Sequence, residues 1–137
     1  MSEELALTPF ENFYRQVKSA YFIGCADTIE RVQDIYGKES SRAEIKESLI
    51  EHLKDRLDVA FLLESSGLEG VVHELSELVL AMDHLGLGKL VGDSLEHLDY
   101  QELEDFQEYL QEGIDGEEDS ERRDQLINAV RSLLGLQ

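Results

Sequence analysis

The sequence predicts an all-α fold. One domain, residues 1–137, is expected as a bundle-like array of five to six helices with a long central N-terminal helix. Three observations carry this. Proline occurs once, at Pro9, and no run of β-branched residues alternates with polar ones, so no segment reads as a strand. Apolar residues recur at steps of three and four through most of the chain, the spacing of one helical face. Residues that start and stop helices bracket those runs. A chain of 137 residues can bury a core without disulfide or metal staples.

Met1 to Leu7 reads as a flexible arm. Thr8-Pro9-Phe10-Glu11 is a helix start, with a Thr cap, Pro at the first helical position and Glu at the third. Phe10, Phe13, Tyr14, Val17, Tyr21, Cys25, Ile29, Val32 and Tyr36 follow at helical spacing, and Gly37 is a natural stop. Around Tyr21 to Ala26 the apolar residues cover more than one face, which predicts a helix touched on several sides, with Cys25 in the core.

Ser41-Arg-Ala-Glu44 reads as a second capping box. The helix after it carries Ile45, Leu49, Leu53, Leu57, Ala60 and Phe61 inward and alternating charges outward, and should end near Ser65-Ser66-Gly67. Val71, Leu75, Leu78, Val79 and Met82 mark a third helix, closed by Gly86. Leu87 to Gly92 is too short for periodicity to decide between a helical turn and a hinge. Asp99-Tyr-Gln-Glu102 resembles a capping box for a helix from Tyr100, although one helix from Ser94 to Glu112 also fits; Gly113 should end it. Residues 114–120 read as an acidic surface loop. A last helix, Glu121 to Leu134, buries Leu126, Ile127, Val130, Leu133 and Leu134.

Charge narrows the function classes. The formal net charge is −19. Residues 1–68 hold 13 acids and 8 bases; residues 69–137 hold 18 acids and 4 bases. Such a surface repels nucleic-acid backbones and anionic membranes, so direct binding to either is not expected. Basic proteins and cations remain. One cysteine leaves no intramolecular disulfide and no CxxC site. Glu3 and Glu4 stand where a secretory leader would carry bases, and no apolar run of 18 residues occurs, so a cytoplasmic protein is expected.

The acids concentrate from Asp93 to Glu121, where 29 residues hold 13 carboxylates and no Lys or Arg. Leu95, Leu98, Leu103, Phe106 and Leu110 run through them at near-helical spacing. That favours folded structure with a strong negative field over a disordered tail. Glu104, Asp105, Glu108 and Glu112 group on one outer side, and Glu117 and Glu118 follow in the loop. These six carboxylates are the candidate binding residues. The leading expectation is a small, non-catalytic regulator, adaptor or inhibitor that docks a basic protein through its acidic C-terminal half. Were all 29 residues one helix, the charges would fall about every 3.3 Å, close to the phosphate spacing of a DNA strand. Nucleic-acid mimicry is therefore one form the docking could take. No cofactor is expected under this reading.

An alternative comes from Glu74-Leu-Ser-Glu77 and Glu96-His-Leu-Asp99. Residues three apart share a helical face, so two such pairs could make an oxygen-rich site for Mg²⁺. His73-Glu-Leu-Ser-Glu-Leu-Val-Leu-Ala81 with the second pair resembles the MazG-like nucleotide pyrophosphatases, all-α enzymes with ExxE and ExxD on two helices. The resemblance implies Glu74, Glu77, Glu96 and Asp99 as Mg²⁺ ligands for hydrolysis of a nucleoside triphosphate. Glycines 86, 88 and 92 interrupt the connection between the motifs. Histidines 52, 73, 84 and 97 form no HxxxH pair and read as surface or helix-end residues. Gly92-Asp-Ser-Leu95 lacks the context of an esterase or a carrier protein and reads as a helix cap. Phe10, Phe13, Tyr14, Tyr21 and Phe22 look too numerous for a thin core, which makes a homodimer through the first helix a further expectation.

Overall fold

A computed structural model describes residues 7–62 and 65–134. The predicted arm, Leu7 excepted, and the side chain of Phe61 lie outside the described residues. Seven helices and no strand occur among the described residues: α1 Pro9–Ile23, α2 Ala26–Gly37, α3 Glu39–Leu62, α4 Ser65–His84, α5 Gly88–Leu95, α6 Tyr100–Gly116 and α7 Ser120–Leu133. The fold is all-helical, as predicted, with seven helices among the described residues against an expected five to six.

The long N-terminal helix is not formed. Gly24 adopts a left-handed conformation, φ 71°, and its N–H donates to the Ala20 carbonyl at 2.8 Å. That bond closes α1, and Cys25 leads extended into α2. An unbroken helix over both segments would measure roughly 43 Å, against a diameter of roughly 37 Å for a compact chain of this length. The break lets Val32 of α2, 1% exposed, return to the same core as Val17 of α1. Cys25 stands at the elbow and is exposed, not buried as predicted. Phe22 and Ile23 beside it are exposed too.

The central position belongs to α4. It packs against α1, α3, α5, α6 and α7. Leu78, Val79, Leu80, Ala81 and Met82 are consecutive and all buried, which only a helix covered on every side allows. Gly86 ends it, at φ 76°. The Leu87 N–H donates to Met82 O at 2.8 Å and the Gly86 N–H to Asp83 O at 3.0 Å. This is the paired bonding of a Schellman turn, completed by buried Leu87 and Met82.

Ser41 does not cap a helix, because α3 already begins at Glu39. The chain turns at Lys38, and Arg42 reaches back to donate to the Tyr36 carbonyl at 2.9 Å, closing the end of α2. The inward face of α3 is as predicted: Ile45, Leu49, Leu53, Leu57 and Ala60 are buried. Leu87 to Gly92 resolves into the start of α5, whose Ser94 hydroxyl donates to the Leu90 carbonyl at 2.8 Å. One continuous hydrophobic cluster draws residues from every helix.

Candidate functional site

The cap at Asp99 sets the position of the acidic helix. Its carboxylate accepts from the Glu102 N–H at 2.8 Å, and Glu102 accepts from the Asp99 N–H at 2.9 Å. This is the reciprocal capping box read from the sequence. From there Phe106, Leu110 and Ile114 face the core. At 100° per residue, Glu104, Asp105, Glu108, Glu112 and Asp115 then fall within an arc of about 100° on the opposite side. Glu104, Glu108, Glu112 and Asp115 are exposed; Asp105 is half-exposed and accepts from the Gln101 side chain at 2.9 Å. The field reaches Tyr109, whose phenol pKa is pushed up by partial burial first and then by Asp105, Glu108 and Glu112.

Two differences from expectation matter here. The 29 residues from Asp93 are not one helix, since α5 ends at Leu95 and α6 begins at Tyr100. The phosphate-like spacing along a single axis therefore does not arise. Nor is 114–120 a loop: α6 continues through Gly116 and α7 begins at Ser120, leaving Glu117, Glu118 and Asp119 between. Of the candidate residues there, Glu118 is exposed, but Glu117 is half-buried and paired with Arg122 at 3.2 Å. Asp119 caps α7, accepting from the Glu121 N–H at 3.0 Å. Among the described residues, only Asp93 and Glu117 of the 13 carboxylates between Asp93 and Glu121 pair with a cation.

Gly113 does not end α6, and the reason lies in α4. A Cβ placed on Gly113 would land on the Ser76 hydroxyl oxygen, 3.3 Å from Ser76 Cβ and 3.5 Å from Val72 Cγ1. Glycine is the residue that lets the two helices approach this closely. Its own Hα then points at Ser76 Oγ, a weak Cα–H···O contact worth about 0.5–1 kcal/mol. Ser76 is 7% exposed and its Oγ has no conventional hydrogen-bond partner. An unmade bond on a buried hydroxyl costs about 1–3 kcal/mol.

Beside this contact lies a groove of about 710 Å³ between α4, the end of α6 and the start of α7. Leu68, Val72, Ser76 and Leu80 line it at steps of four along α4, and Leu126 lines it from α7. Glu69, Glu112 and Asp115 stand exposed at its edge. The groove is not legible in the sequence. Its only local trace is the pair Gly113 and Gly116, three apart inside an acidic helix.

The four carboxylates of the alternative reading do not assemble. Glu74 pairs with Arg56 at 3.4 Å, and Glu77 lies 3.6 Å from the His73 imidazole. Glu96 closes α5, and Asp99 is committed to the α6 cap. Among the described residues, no three His, Cys, Asp or Glu are placed to hold a metal ion. The histidines are dispersed as well. His52 packs on Phe10, ring centroids 5.0 Å apart, and burial is the first cause of its lowered pKa. The rings of His84 and Tyr21 meet nearly at right angles, centroids 5.1 Å apart.

The aromatic residues of the first helix are not in excess. Phe10 and Phe13 are fully buried, and Tyr14 and Tyr21 pack against the core. Phe22 alone remains mostly exposed, with Ile23. No helix among the described residues is long and apolar enough to cross a membrane. Comparison with family models, curated proteins and solved structures gives no match.

Proposed function

We propose that the protein is a non-catalytic binding module, a regulator, adaptor or inhibitor, that docks a basic protein through the outer face of α6. The observation that supports this most is the arc of carboxylates from Glu104 to Asp115, which no cation neutralises among the described residues. Like charges four apart on a helix each cost about 0.2–0.5 kcal/mol. Glu104 with Glu108, and Glu108 with Glu112, bear this repulsion, and a basic partner relieves it. Docking to such a face gains encounter rate and orientation more than raw affinity. It also weakens as salt shortens the reach of the field. Cytoplasmic location and the absence of any membrane partner belong to the same reading.

Charge reversal at matched net charge tests the proposal. The variant Glu104→Lys, Glu108→Lys, Glu112→Lys changes the arc. The variant Glu47→Lys, Glu51→Lys, Asp58→Lys makes the same change on the exposed side of α3. Partners captured at low salt should be lost on the first variant, kept on the second and released by salt. Equal losses on both variants, or capture indifferent to salt, would refute docking through α6.

A further inference from the structure

We propose that the groove between α4, α6 and α7 seats one large apolar side chain of a basic peptide segment, and that the Ser76 hydroxyl donates a hydrogen bond to a backbone carbonyl of that segment. This rests on reading α6 as the face that meets a basic partner, and it names what the partner segment must carry. The floor is apolar, formed by Leu68, Val72, Leu80 and Leu126, and suits an aliphatic or aromatic anchor. The edge carries Glu69, Glu112 and Asp115, which complement Lys or Arg flanking that anchor. Arg122 also borders the groove, but Glu117 holds it at 3.2 Å, so the edge remains net negative.

Ser76 is the second, independent observation. Buried serines in helices satisfy themselves on the carbonyl four residues back, as Ser94 does on Leu90 at 2.8 Å. Ser76 does not; it is 7% exposed, borders the groove and has no partner for its hydroxyl. Its oxygen lies against Gly113, and rotation of the short side chain toward the groove brings the O–H to the incoming carbonyl. A second copy of the chain is a poor occupant, since it would bring a net charge of −19 against the same charge.

The probes are a labelled lysine-rich helical peptide bearing one leucine and a copy with serine in place of that leucine. Binding to the full-length protein is measured by fluorescence anisotropy at low salt. The leucine peptide should bind about tenfold tighter or more. Amide resonances of Val72, Ser76, Gly113 and Leu126 should shift on its addition alone. Ser76→Ala should weaken the leucine peptide by roughly two- to tenfold while raising the melting temperature of the free protein. A merely structural serine would not move those two readings in opposite directions. Val72→Trp, which fills the groove from its floor, should abolish the preference for leucine and keep the charge-driven binding. Equal binding of both peptides, still sensitive to the α6 charge reversal, overturns the groove proposal and leaves docking intact. No binding of either peptide at low salt overturns both.

Discussion

The same substitution at two helical glycines should act with opposite sign. Gly70 lies inside α4, is exposed, and a Cβ there meets nothing within 4 Å. Alanine is about 1 kcal/mol better than glycine in a helix interior. Gly70→Ala should therefore stabilise the protein by about 1 kcal/mol, or raise the melting temperature by about 3–4 °C for this length. Gly113→Ala gains the same propensity but faces α4. The Ser76 hydroxyl can swing clear of the new methyl, because it is the end of a short side chain. Ser76 Cβ at 3.3 Å cannot; carbon atoms rest about 3.5–4.0 Å apart, so the helices must separate by a few tenths of an ångström. Overpacking of this kind costs about 1–3 kcal/mol. The net effect is about 0–2 kcal/mol of destabilisation, and the two alanine variants should differ by at least ~1 kcal/mol. Urea unfolding with an unchanged slope measures this. Removing the Ser76 Cβ with Ser76→Gly should make Gly113→Ala less costly, a coupling of about 0.5–2 kcal/mol in the double-mutant cycle. Equal stabilisation at Gly70 and Gly113 would show that α4 and α6 do not meet at Ser76.

Four other outcomes follow from the local geometry. Gly24→Ala should lose about 1–2 kcal/mol by conformation alone, since φ is 71° and no atom lies within 4 Å of the new Cβ; a stable Gly24→Ala would deny the break between α1 and α2. Asp99→Ala should cost about 1 kcal/mol through the lost cap of α6, read by thermal melting against Asp99→Asn, which retains most of it. Tyr14→Phe should be neutral or stabilising, because the phenol oxygen is buried without a partner; a large loss would reveal a bond there. Glu11 is held below the usual carboxylate range, first by the Thr8 amide. A depressed folded pKa contributes stability above the unfolded value of about 4.3 that is lost as pH falls through the folded value. The stability difference between wild type and Glu11→Gln should thus shrink on acidification from pH 7 to about 3, and a constant difference would refute the linkage.

What was legible in the sequence is what short-range chemistry decides. The Thr8–Glu11 and Asp99–Glu102 boxes, the stop at Gly86 and the inward faces of α3 and α6 each depend on residues within one or two turns. Gly24 escaped because Ile29, Val32 and Tyr36 stay in phase with α1 across it, so the period gives no sign of a break. Cys25 has apolar neighbours yet is exposed, because the elbow turns those neighbours outward. Gly113 was misread as a stop since a glycine in an acidic helix gives the same local signal whether it ends the helix or admits another. Only Ser76, 37 positions away in the chain, distinguishes the two. The groove and the dispersal of Glu74, Glu77, Glu96 and Asp99 are tertiary facts of the same kind. The central place of α4 had a sequence signal, the unbroken run Leu78-Val-Leu-Ala-Met82, which exceeds what one buried face requires.

The elbow at Cys25 has a chemical consequence of its own. The thiol is the single one in the chain and is exposed. Its side chain forms no cap bond to α2, yet the Thr28 amide and then the Asp27 amide favour the thiolate and lower its pKa. Thiolates alkylate readily near neutral pH, so one maleimide dye should attach at a defined corner with the fold intact and report any change in the angle between α1 and α2. The same reactivity should join two chains through a disulfide when oxygen is the oxidant. A covalent pair of that origin would elute as a dimer, so sizing of this protein is meaningful only under reductant or with Cys25→Ser.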